Sequence, residues 1–172
     1  AFALLFLRTP PGNAAVQIFA DQLVVDGYST FFRALFLIIA SLTIVLGAQR
    51  FHSAPVTEFA VLIEFSLLGM MLLVGSIDWA TAFIAIETMA IPVYVLAGLT
   101  RFRRASLEAA MKYFALGAFA SAILIYGIAW TYGLSGTTNF LKTAEVLSTR
   151  GNEPWVLFAI ALILVALGFK VA

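Results

Sequence analysis

Five apolar stretches, each about as long as a lipid bilayer is thick, dominate this sequence and leave it few ways to fold. A hydrocarbon core about 30 Å across needs ~20 apolar residues per helix. Stretches that meet this requirement run over 28–48, 58–77, 79–99, 109–134 and 154–172. They are continuous, whereas the strands of a membrane barrel alternate apolar and polar residues over about ten positions. The expectation is an all-α, polytopic transmembrane helix bundle, one domain over 1–172. Composition agrees: 63% of the chain is hydrophobic and 11% charged, against about 45–50% and about 25% in soluble domains. A soluble chain of 172 residues could not hide that much apolar surface from water.

The same figures exclude several classes of function. A net charge of +1 gives nucleic acid no electrostatic footprint. The chain has no cysteine and one histidine, so thiol chemistry, iron–sulfur ligation and a structural zinc site are not expected. No stretch has the pattern of a cleavable signal peptide. Residues 1–7 read as the tail of an earlier helix, stopped by Arg8-Thr9-Pro10-Pro11-Gly12. With no initiator Met, and Lys170 followed only by Val171 and Ala172, the chain is expected to be a segment of a larger polytopic protein.

The connections set the sidedness. Arg101, Arg103 and Arg104 cluster in one short loop, and such loops stay on the cytoplasmic side. Alternation then puts the loops around Asp21 and Asp26, around Asp78, and over 135–153 outside. Within the last of these, Phe140 to Leu147 is weakly amphipathic and suits the membrane surface. Asp78 reads as the N-cap of the third span, and Arg33 as a snorkelling anchor. His52 sits in a loop beside Arg50 and reads as a solvated side chain.

Three ionisable residues lie well inside spans: Glu87, Lys112 and Lys170. Each costs ~2.5–3.5 kcal/mol at mid-helix on insertion scales, and such residues mark proton or ion paths by default. The competing reading is a hydrogen bond that only holds two helices together. Glu64, six residues into its span, reads as structural or interfacial. Depth allows Glu87 and Lys112 to meet. Glu87 lies ~16 Å from the cytoplasmic end of its span and Lys112 ~10 Å from the same end, at 1.5 Å per residue. Pro92 leaves the Thr88 carbonyl without its helical donor, and Thr81, Thr88 and Ser121 add hydroxyls. Gly117 and Ser121, with Ala118 and Ala122 beside them, form a small-residue pattern that permits close helix packing. Gly168 before Phe169-Lys170 suggests a break in the last span, of the kind that exposes carbonyls in transporters.

Two stretches carry a family resemblance. The first is Asp78-Trp-Ala-Thr-Ala-Phe-Ile-Ala-Ile-Glu87-Thr-Met-Ala-Ile-Pro92-Val-Tyr94-Val-Leu-Ala-Gly98. The second runs from Ser106-Leu-Glu108-Ala-Ala-Met-Lys112-Tyr-Phe-Ala-Leu-Gly117 through Ser121, Tyr126-Gly127 and Tyr132-Gly133 to Gly136. The chain resembles subunit N of the proton-pumping NADH–quinone oxidoreductases (respiratory complex I), an antiporter-like membrane-arm subunit. The resemblance is close over 58–136, and Gly168-Phe169-Lys170 looks like the family's broken seventh helix.

The resemblance implies a partial chain of the antiporter-like inverted-repeat fold, about fourteen helices with two inverted five-helix repeats. It implies that Glu87, Lys112 and Lys170 are the family's glutamate and lysines on a hydrated axis of proton translocation. No cofactor-binding or metal-binding residue is implied on this chain; quinone, NAD, FMN and iron–sulfur clusters belong elsewhere in the complex. The implied partners are other membrane-arm subunits and the lipid bilayer, with no nucleic acid. The implied location is an energy-transducing membrane, the bacterial inner membrane. Departures are Ala90-Ile91 where Ser-Leu is common, and Glu64 where an apolar residue is usual. The Pro-Phe-His run expected after Lys170 and the second repeat are missing from the sequence. The alternatives are a sodium/proton antiporter subunit of the same superfamily, or a scaffold subunit whose ion pairs only brace the bundle.

Overall fold

A computed structural model of the chain describes residues 15–50, 56–100, 102–151 and 153–171. The expected helix tail at 1–7, His52 and Arg101 lie outside those residues. In chain order the elements are β1 (Val16–Ile18), β2 (Leu23–Val25), α1 (Gly27–Arg50), α2 (Val56–Val74), α3 (Trp79–Ala97), α4 (Arg104–Ser135), α5 (Phe140–Thr149) and α6 (Pro154–Val171). Five of the helices, α1 to α4 and α6, are long and apolar enough to cross a membrane. The chain is a multi-pass helical membrane protein, and the short helix α5 connects its last two spans.

α4 is longer than the apolar run within it. It begins at Arg104 rather than Ala109, and its 32 residues would extend ~48 Å at 1.5 Å each, well past a 30 Å hydrocarbon core. Helix here survives outside lipid because the first turns are tied down. The Ser106 hydroxyl donates to the Ala97 carbonyl at 2.8 Å and accepts from Thr100 Oγ1 at 3.1 Å. Glu108 and Lys112 form an ion pair one turn apart. At the other end Gly136 closes the helix at φ 70°, and its N–H donates to the Tyr132 carbonyl. A residue without a Cβ adopts that left-handed conformation freely.

The hairpin β1–β2 was not legible in the sequence. Val16 pairs with Val25 and Ile18 with Leu23. The turn between them puts Phe19, Ala20 and Asp21 at φ 54°, 53° and 63°, a region non-glycine residues rarely occupy. No Asn-Gly or Gly-rich signal announces it. Tertiary hydrogen bonds hold the hairpin to the α2–α3 turn instead. The Val24 N–H donates to the Gly75 carbonyl at 2.7 Å, and the Ile77 N–H to the Gln22 carbonyl at 3.0 Å.

The other edge of that turn is clamped as well. The Trp79 N–H donates to the Thr138 carbonyl at 2.8 Å and the Phe140 N–H to the Ile77 carbonyl at 2.9 Å. Asp78 caps α3, its Oδ1 accepting from the Thr81 N–H at 3.0 Å. Asn139 caps α5 through the N–H groups of Leu141 and Lys142. The loops at 19–26, 75–78 and 136–139 are thus joined on one side of the bundle, and the Arg103–Arg104 loop lies at the far end of α3.

Arg33 departs from expectation. It does not snorkel: its side chain is fully buried, and its Nε donates to the Met71 carbonyl at 3.3 Å. Gly75 makes the room, since a Cβ there would lie 2.3 Å from Arg33 Nη2. The seventh-helix break is also absent from the described residues: α6 continues through Gly168 to Val171. α3 likewise runs uninterrupted past Pro92.

The core joins α3, α4 and α6 through Ile86, Leu124, Ile128, Ile163 and Ala166. α2 and α3 approach backbone to backbone at Gly69, where a Cβ would sit 2.3 Å from the Met89 nitrogen and 2.7 Å from the Ala85 oxygen. Main chain cannot give way as a flexible side chain can. Gly69→Ala is therefore expected to force α2 off α3 and cost about 1–3 kcal/mol, the usual range for overpacking. Unfolding of the protein in nanodiscs would measure the loss, and an unchanged midpoint would show that the two backbones are not in contact.

Candidate functional site: an intramembrane glutamate–lysine pair

Glu87 projects from the middle of α3 and Lys170 from the last turn of α6. Lys170 Nζ lies 2.9 Å from Glu87 Oε1. The Ser121 hydroxyl of α4 donates to the same oxygen at 2.6 Å. Three helices therefore converge on one carboxylate. Side-chain exposure is 14% for Lys170 and 23% for Glu87, so the pair is mostly, not wholly, enclosed by this chain. Charges paired in such surroundings attract more strongly than in water, and each relieves the other's desolvation.

A cavity of about 570 Å³ adjoins Lys170 and is lined by Tyr94, Tyr113, Gly117, Ala120 and Phe169 among others. Tyr94 lies seven residues beyond Glu87, two turns along the same face of α3. Its ring packs edge-on against Tyr113, centroids 4.8 Å apart. Gly117 is glycine for this ring: a Cβ there would lie 2.1 Å from the Tyr94 hydroxyl oxygen. The small-residue face of α4 was legible, but not its composition. Gly117, Ala120 and Ser121 pack inward, while Ala118 and Ala122 are exposed.

Lys112 does not join the pair. It is 71% exposed, and its partner is Glu108 of the same helix at 2.5 Å. Lys112 and Glu87 match in depth along their helices but not in azimuth. Ser121, which touches Glu87, follows Lys112 by nine residues, two and a half turns, so the two lie on opposite faces of α4. Of the three hydroxyls expected near Glu87, only Ser121 reaches it among the described residues. Thr88 donates to the Ile84 carbonyl at 2.8 Å, and Thr81 faces Asp78 and Gln22. Glu64 is exposed on α2.

The fold and the site together define a polytopic helical membrane protein with a glutamate–lysine pair between its spans. The NADH:quinone oxidoreductase/Mrp antiporter transmembrane family matches residues 76–172, more than half of the chain, and the chain belongs to that family. NADH-quinone oxidoreductase subunit N of Trichlorobacter lovleyi is 37% identical over 159 residues, covering 91% of this chain and 33% of that protein. A subunit N of Solibacter usitatus is 39% identical over 158 residues, 90% of this chain and 32% of its own length. The chain thus spans about a third of the curated relatives it matches. Among solved structures, respiratory complex I from Thermus thermophilus with bound aureothin contains a similar chain. It matches at TM-score 0.74 and 34% identity, over 98% of this chain and 35% of that one. An archaeal respiratory membrane complex, the membrane-bound sulfane sulfur reductase, matches at TM-score 0.76 and 26% identity, over 92% of this chain and 32% of that one.

If Glu87 and Lys170 are energetically coupled, losing one partner strands the other. Glu87→Gln and Lys170→Met are each expected to destabilise the protein, and the double variant by less than their sum. The coupling should be about 0.5–3 kcal/mol, measured by a double-mutant cycle on unfolding in nanodiscs. Lys112→Met, at an exposed pair on one helix, should change stability by no more than about 0.5 kcal/mol.

Proposed function

We propose that this chain is part of a proton-translocating subunit of a bacterial NADH–quinone oxidoreductase. In this reading it lies in the inner membrane beside other membrane-arm subunits and carries no redox centre. NADH oxidation, flavin and iron–sulfur electron transfer and quinone reduction take place on other subunits. The observation that carries the reading is the 2.9 Å contact between Lys170 and Glu87, two residues 83 apart in sequence brought together between spans. The names of the relatives support the assignment to the complex.

The proposed chemistry is control of a lysine by a carboxylate. While Glu87 stands beside Lys170, the ammonium form is favoured by attraction; when the carboxylate withdraws, the desolvated lysine gives its proton up. The adjoining cavity offers room for water on the route of that proton. Moving one proton against 100 mV takes ~2.3 kcal/mol, an amount that forming and breaking one such pair can supply. Lys112 enters the proposal separately, as an exchangeable ammonium paired with Glu108 on the outer face of α4.

Sodium is the competing cargo, because the family takes in Mrp antiporters. Pumping by the intact complex in vesicles should proceed without sodium. Glu87→Gln should assemble normally and lose about tenfold or more of proton translocation, since general acid–base groups contribute ~10²–10⁴-fold. Lys170→Arg should do the same, because a guanidinium keeps its proton. Full pumping with either substitution would refute the translocating role, and defective assembly with normal pumping per electron would assign the pair to bracing alone. Lys112→Met with undiminished pumping would remove Lys112 from the path and leave the pair in it.

A further inference from the structure

Two acceptors lie within reach of the Ser121 hydroxyl at once. Its Oγ is 2.6 Å from Glu87 Oε1 and 2.9 Å from the carbonyl oxygen of Gly117, one turn back on α4. The second contact is common, since helical serines and threonines often donate to the carbonyl four residues before them. Ser41, Thr43, Thr88 and Thr131 make that bond here without a carboxylate in reach. Ser121 has both. A hydroxyl carries one hydrogen and two lone pairs, so its two acceptors compete for a single donor.

We infer that Ser121 is a positioning residue for Glu87, a rotor that keeps this carboxyl hydrogen-bonded in either protonation state. The inference rests on the proposed translocating role of the Glu87–Lys170 pair and adds to it that Glu87 itself takes up a proton. With Glu87 ionised, the hydroxyl donates to Oε1, alongside Lys170 Nζ on the same atom. When a proton arrives on Glu87, the carboxylic acid becomes a donor and Ser121 Oγ becomes its acceptor. The serine hydrogen then turns to the Gly117 carbonyl. One hydrogen bond breaks and another forms, no heavy atom has to move, and the proton count of the serine is unchanged.

The ammonium of Lys170 cannot do this. It only donates, so it suits the carboxylate and has nothing to offer an O–H. While Lys170 remains an ammonium, a hydroxyl that can reverse its role is what gives the O–H of protonated Glu87 an acceptor in a largely enclosed site, where an unmade bond is expensive. Ser121 is itself buried, which restricts water from taking its place.

The test uses the intact complex carrying Ser121→Ala or Ser121→Thr, with Glu87→Gln as reference. The readouts are proton translocation in vesicles and the infrared carboxylic C=O band that vanishes in Glu87→Gln. Ser121→Ala is expected to slow translocation about tenfold, equivalent to ~1.4 kcal/mol of barrier. It should also move the C=O band to higher frequency, as for an acid whose hydrogen bond is lost. Ser121→Thr, which keeps the hydroxyl, should restore both rate and band. An unmoved band and full rate in Ser121→Ala, while Glu87→Gln still abolishes translocation, overturn the inference and leave the proposed function standing. Equal losses in Ala and Thr with the band unmoved also overturn it, since packing alone would then explain them. Full translocation in Glu87→Gln overturns the proposed function and the rotor with it.

Discussion

An ion inside hydrocarbon needs a counter-ion or strong dipoles close by, and the Glu87–Lys170 contact meets that need from two helices far apart in sequence. Each partner alone would cost several kcal/mol in lipid. Together, with Ser121 as a third donor or acceptor, they form a polar knot around which α3, α4 and α6 pack. The apolar core of Ile86, Leu124, Ile128, Ile163 and Ala166 joins the same three helices. In lipid there is no hydrophobic drive to bring one apolar helix to another, so close packing and polar contacts do most of the joining. The small residues Gly69 and Gly117 therefore matter as much as the charges. They set how near α2 comes to α3, and how deeply Tyr94 seats against α4.

Pairing also separates two kinds of charge in this chain. Lys112 and Glu108 satisfy each other along one helix, near its charged end, and need nothing from α3 or α6. Arg33 is held by a backbone carbonyl and by the space that Gly75 leaves. Glu87 and Lys170 depend on tertiary structure. Helix–helix geometry can make or break such a contact, and the proposed cycle of proton uptake and release draws on that dependence.

Much of this was legible in the residues. The apolar runs located the spans, because hydrocarbon thickness fixes their length. Asp78, three residues before Thr81, signalled the cap it makes. Glu87 and Lys170 stood out because nothing ionisable belongs in an apolar run without cause. What failed was partner choice. Depth along a helix follows from counting residues, but the face a residue occupies depends on which neighbour the helix packs against, and that information lies in residues far away. Lys112 suits Glu87 in depth, but the inward position of Gly117 and Ser121 turns it to the other side. The hairpin escaped notice for a related reason. Three-residue strands with a left-handed turn of Phe19, Ala20 and Asp21 have no local preference to betray them, and hydrogen bonds to 75–77 impose their shape. Gly168 misled in the opposite sense, since a glycine in a span permits a break without requiring one.

The clamp around 75–79 divides α3 into a fastened end and a looser one. Strand and loop backbone grip its start from both edges, whereas its other end is held through side chains, the Ser106 hydroxyl on the Ala97 carbonyl and the Tyr94 ring against α4. Any rocking of α3 would pivot at Asp78. Glu87 lies nine residues along, a lever arm of ~13 Å at 1.5 Å per residue. A tilt of about 5° would then swing its carboxylate by ~1 Å, enough to carry a good hydrogen bond beyond its working range. A fold anchored this way translates a small angular displacement at one membrane face into the opening of a contact at mid-depth.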